Sequence, residues 1–272
     1  MSQMPTQRRA TPNHPLDLDP VARACAQAVL LVGLLVLAGW ALKIEALKSV
    51  LPGLATMKVN TALGFVLAGI ALALRQRDGL RLGCAAATIV LGGLSLAQDV
   101  TGADYGIDQL LFREAPGAAQ VVAPGRMSVI TALNFVLLGG ALLLLGTRRA
   151  ALRRTLEALA LIALIGYVYG VEALYRLPGF GSVAVHTALA FALLAMGVLC
   201  ARADGIAGVF ASAGLGGQVA RRFLPLAIVA PVVLGWVVQT GKDAGLFSVA
   251  QDTAVLVAAM VLVLGRSPGA TP

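Results

Sequence analysis

The sequence predicts an all-α integral membrane protein: an eight-helix transmembrane bundle of four repeated helical hairpins, both termini cytoplasmic. Three observations predict it. Hydrophobic residues make up 58% of the chain and charged residues only 12%, against roughly 25% charged in soluble domains. Apolar runs recur along the whole length, each near the roughly 20 residues that cross a bilayer. One tripeptide, Thr-Ala-Leu, opens three of those runs: MKVNTALGF at 57–65, MSVITALNF at 127–135 and VAVHTALAF at 183–191.

The runs place spans near 24–43, 57–74, 82–98, 127–147, 155–172, 183–201, 223–240 and 247–265. They must be helices, because lipid offers no partner to an exposed backbone amide and a barrel would show short alternating segments instead. Residues 1–23, with Pro5, Pro12, Pro15 and Pro20, read as a flexible cytoplasmic tail, and 266–272 as a short cytoplasmic one. The stretch 29–41 has the look of a signal-peptide core. Its place in the internal repeat marks it as a retained helix.

The net charge of +8 does not indicate nucleic acid. With eight spans, one set of loops holds twice as many Lys and Arg as the other, including Arg75, Arg77 and Arg81, and Arg148, Arg149, Arg153 and Arg154. The positive-inside rule assigns that set to the cytoplasm and makes the arginines topology determinants. Cys25, Cys84 and Cys200 fall near cytoplasmic helix ends without CxxC spacing, so they read as small apolar residues and not as a disulfide or metal site.

The repeat sets the organisation. Thr61-Ala62, Thr131-Ala132, Thr187-Ala188 and Thr253-Ala254 each start an even-numbered span. Upstream of each stands an acidic turn: KIEAL at 43–47, GIDQL at 106–110, GVEAL at 170–174 and GKDAG at 241–245. Each unit is thus an outgoing helix, an acidic turn, an outer loop and a returning helix, giving hairpins at about 24–74, 82–147, 155–201 and 223–265. Small residues below each Thr, such as Gly64, Ala68 and Gly69, or Gly139 and Gly140, predict close helix packing.

The chemistry-bearing residues gather at one level. The turns supply Glu45, Asp108, Glu172 and Asp243; the motif supplies Thr61, Thr131, Thr187 and Thr253; and the position before each Thr reads Asn60, Ile130, His186 and Asp252. Ionisable groups at membrane depth are costly and so are functional candidates, which makes this set a polar pocket open to the periplasm. The structural alternative is helix capping and interfacial pairing with Lys43 or Arg176. The acidic residues of the loop after the third span, Asp99, Asp104, Asp108 and Glu114, are also mostly consistent with a solvated face. His186 has the chemistry of a metal or haem ligand, yet a bis-histidine haem needs a second buried histidine and zinc needs further ligands. No cofactor is expected. No nucleophile elbow, HExxH or phosphate loop appears, and GLGG at 214–217 precedes no Walker lysine.

MKVNTALGFVLAGIAL, GIDQLLF, GRMSVITALNFVLLGGALLLL, GYVYGVEALYRL, VAVHTALAFALLAMGVL and GGQVARRFLP together resemble the amino-terminal multi-span sensor region of bacterial histidine kinases and diguanylate cyclases, over about residues 25–265. The resemblance implies a non-enzymatic input module that detects a small ligand or ion near the periplasmic side. It implies a cytoplasmic output domain or effector as partner, and a homodimer. Only seven residues follow the last predicted span, and they hold no kinase or cyclase motif. The alternative expectations are a small-solute or cation transporter or channel and, behind it, a membrane haem or redox protein.

Overall fold

The computed structural model describes residues 17–49, 56–113, 124–168, 185–202, 205–219 and 221, and all regular structure among them is helical. The predicted spans 223–240 and 247–265 lie outside the described residues, as do Glu172, Asp243, Asp252 and Thr253.

Helix α1 runs Asp19–Ala41, with Pro20 in the first turn, where its missing N–H goes unnoticed. It stops at Lys43, whose φ of 58° breaks the helix. A single turn, α2, follows at Glu45–Lys48. The returning helix α3, Val59–Ala73, starts abruptly after the extended residue Lys58. Helix α4 is Asp78–Thr101 and ends at Gly102, which takes the left-handed conformation that glycine adopts without steric cost. Helix α5, Val129–Leu144, is capped by Ser128, whose hydroxyl accepts from the Thr131 N–H. Then come α6, Ala150–Val168, α7, Val185–Cys200, and the short α8, Gly205–Ala211.

Helices α1 and α4 are long and apolar enough to cross a membrane. The returning helices α3 and α5, and His186–Cys200 of α7, are apolar but shorter. Helices α3 and α5 fall short of the predicted spans at both ends: each begins two residues before its Thr, after an extended cap at Lys58 or Ser128, and they end at Ala73 and Leu144.

The hairpin repeat is visible as paired contacts. A Cβ on Gly33 of α1 would stand 2.7 Å from the Ala62 carbonyl of α3, and one on Gly92 of α4 would stand 2.6 Å from the Ala132 carbonyl of α5. One level further along, Gly69 of α3 meets the backbone of Leu30, and Gly139 of α5 meets Ile89 and Ala85. Glycine recurs where two antiparallel backbones come too close for any side chain.

Between hairpins the rule is also regular: α3 packs on α4, α5 on α6, and α7 on α1. The six long helices thereby close into a ring of three hairpins, with α7 lying directly against α1. At its centre meet Phe65, Phe135 and Phe191, each four residues after a repeated Thr and each at most 2% exposed. Their ring centroids are 4.7–5.0 Å apart at 59–65°, every pair edge-on or tilted, the arrangement favoured by aromatic quadrupoles. Gly64 lies flat under the Phe135 ring.

Candidate polar site at the acidic-turn end

The two described acidic turns are built differently. Glu45 follows Gly33 by twelve residues, whereas Asp108 follows the equivalent Gly92 by sixteen. The four extra residues let the chain double back into the bundle. As a result Asp108 is 6% exposed, while the Glu45 side chain is 76% exposed and pairs with Lys48 at 2.5 Å. The Lys48 ammonium also lies 4.7 Å from the Trp40 ring centre, and Trp40 donates to the Met57 carbonyl at 3.0 Å.

Asp108 is the hub of a buried polar node. Its Oδ2 accepts from Arg126 Nε at 2.8 Å and from Gln98 Nε2 at 3.0 Å. Its Oδ1 accepts from Asn60 Nδ2 at 3.4 Å, and the same amide donates to the Ile107 carbonyl at 3.0 Å. Gln98 is fully used, since its Oε1 accepts from the Tyr105 N–H at 2.7 Å. Arg126 also reaches Asp99 at 3.3 Å. Burial opposes the charge on Arg126, but the hydrogen bonds and charges of Asp108 and Asp99 outweigh it and hold its pKa above the usual guanidinium value. Gly125 lets the Arg126 strand approach: a Cβ there would stand 2.4 Å from the Asp108 carbonyl. Asp99 and Asp108 therefore do not form part of a solvated face; Arg126 draws both inward.

The residues before the repeated Thr behave unequally. Asn60 spans from the first hairpin to the turn of the second. Ile130 offers no polar group. His186, at the same register on α7, has both ring nitrogens shielded from solvent and, among the described residues, no hydrogen-bond partner. Asn134, 1% exposed and one turn below Thr131, has neither its amide nor its carbonyl bonded, and the buried Ser95 hydroxyl is also unpartnered. Thr61, Thr131 and Thr187 are all buried, and the Thr131 hydroxyl shares a 2.9 Å hydrogen bond with Ser128. The structure thus brings Asn60 and Asp108 together, keeps Glu45 apart at the surface, and leaves His186 unpaired among the described residues. Sequence reading did not assign Gln98, Asp99 and Arg126 to this node. The available signal was Arg126 itself, a guanidinium two residues before a helix cap.

The opposite end is built on arginines, and they bind backbone and carboxylate oxygens. Arg81, 2% exposed, donates to the last carbonyls of α5, Leu142 at 2.9 Å and Leu143 at 2.8 Å, and pairs with Asp78. Arg202 donates to the Leu145 carbonyl, and Arg75 binds both Asp19 and the Leu72 carbonyl. Arg153 and Glu157 form a pair at 2.7 Å that is almost wholly buried. Guanidinium groups at helix C-termini satisfy carbonyls left over by the helix and oppose its dipole.

Among the described residues no cluster of three or more His, Cys, Asp or Glu side chains forms a metal centre. Set against known proteins, the chain matches no family model, and no curated protein and no solved structure is similar to it.

Proposed function

We propose that this chain is a membrane signal-sensing module of the bacterial inner membrane, both termini cytoplasmic, which detects a small polar ligand or ion at the acidic-turn end and relays it to a cytoplasmic effector. The observation that carries the reading is the inequality of the three ring junctions. Asn60 and Asp108 lock the first hairpin to the second. At the equivalent register His186 has no hydrogen-bond partner among the described residues. A buried polar group without a partner costs about 1–3 kcal/mol, so a ligand or a repacking that satisfies His186 gains that energy in one state and not the other. Such a difference between states is what a signal requires. The central phenylalanines favour sensing over conduction, because three rings in contact fill the axis along which a ring of helices would conduct.

The test is a thermal-shift screen of ions and small polar solutes on the purified full chain, with His186→Ala alongside. A compound that raises Tm in the parent and loses that effect in the variant supports the reading. Uptake of the same compound into proteoliposomes would replace sensing with transport.

A further inference from the structure

We propose that the thiolates of Cys25 and Cys200, with the thioether of Met196, bind copper(I) between α1 and α7, at the end of the bundle opposite the polar node. Two sulfurs touch there, and a third residue faces the same turn of α7 from α1. The Cys200 Sγ lies 3.9 Å from the Met196 Sδ, the two residues being one turn apart on α7. Gly197, between them in sequence, presses so closely on α1 that a Cβ there would stand 2.9 Å from the Cys25 Cβ, which sets Cys25 against the turn that carries both. Both are free thiols, Cys25 buried at the helix interface and Cys200 half-buried, while Met196 is 48% exposed and leaves an edge by which an ion can enter.

The donor set selects the ion. Two thiolates and one thioether are soft ligands and suit copper(I). Zinc prefers four ligands drawn from sulfur, nitrogen and oxygen, and among the described residues no third His, Cys, Asp or Glu joins this cluster. Binding removes one proton from each thiol and leaves the metal's oxidation state unchanged, so the loaded site carries one net negative charge.

The experiment titrates the full chain with copper(I) against a chromophoric chelator, in the parent and in Cys25→Ser, Cys200→Ser, Met196→Leu and Cys84→Ser. One ion per chain is expected, with affinity lowered at least tenfold by either Cys25→Ser or Cys200→Ser, less by Met196→Leu, and unchanged by Cys84→Ser, whose thiol sits on α4. A Cys25→Ser/Cys200→Ser chain that binds as tightly as the parent, or binding that follows Cys84, overturns the site. Maleimide labelling of the unaltered chain provides a reading free of folding effects. Copper(I) should protect Cys200, the half-buried thiol of the site, and leave Cys84 labelled as before; equal labelling of Cys200 with and without the metal overturns the proposal.

Discussion

Asn60 and Asp108 are 48 positions apart in the chain, yet the amide of one donates to the carboxylate of the other inside the bundle. Through this contact the entry of α3 is tied to the loop that follows α4, and Arg126 and Gln98 complete the shell around the same carboxylate. Removing one partner of a buried charged pair leaves the other uncompensated, at about 3–5 kcal/mol. Asp108→Ala should therefore lower the unfolding free energy in detergent by about that much. Arg126→Ala combined with it should cost clearly less than the two separate losses summed, and a full double-mutant cycle by reversible denaturation checks the coupling.

The phenylalanine cluster makes a second prediction. Phe65→Ala, Phe135→Ala and Phe191→Ala each open a cavity at the ring axis and should each destabilise by about 3–5 kcal/mol. Because every ring touches the other two, the pairs should couple, by about 0.5–1.5 kcal/mol for aromatic contact. Strict additivity of the three variants in chemical unfolding would mean that the rings do not share one site.

Adjacent glycines on α4 should respond in opposite directions. A methyl group at Gly92 meets the Ala132 carbonyl at 2.6 Å, whereas one at Gly93 meets nothing within 4 Å. Gly92→Ala should push α4 and α5 apart and lower Tm. Gly93→Ala should raise stability by up to about 1 kcal/mol through helix propensity. Thermal unfolding of the two single variants, side by side, decides it.

Lys43 holds a left-handed backbone at φ 58°, the role Gly102 plays at the end of α4 with φ 70°. A non-glycine residue in that conformation costs about 1–2 kcal/mol. Lys43→Gly should recover about 1 kcal/mol of stability, read as a higher midpoint of denaturation, while Gly102→Ala should lose a similar amount.

The sequence was most legible where the same residues recur in the same register. Thr-Ala-Leu stands in the first turn of α3 and of α5, because the motif lies where extended chain turns into helix. The same motifs contain Phe65, Phe135 and Phe191, but nothing in a linear string says that three rings from three hairpins meet at one point. The acidic turns misled in a definite way. KIEAL and GIDQL align by letter, yet four extra residues after the matching glycine Gly92 carry Asp108 into the interior and leave its counterpart Glu45 at the surface. Charge counting reads the sign of arginines and not their depth, so the carbonyl-binding roles of Arg81 and Arg202 were hidden. The three cysteines looked like scattered small residues because Cys25 and Cys200 approach only once α7 folds back on α1.

That return of α7 to α1 carries a consequence for biosynthesis. The ribosome delivers α1 through α5 first, so Phe65 and Phe135 emerge before Phe191 has been made. Until α7 arrives, the flank of α1 that will receive Gly197 is uncovered and the aromatic centre lacks one ring. The half-made chain is an open arc, and α7 must dock against the helix that was made first.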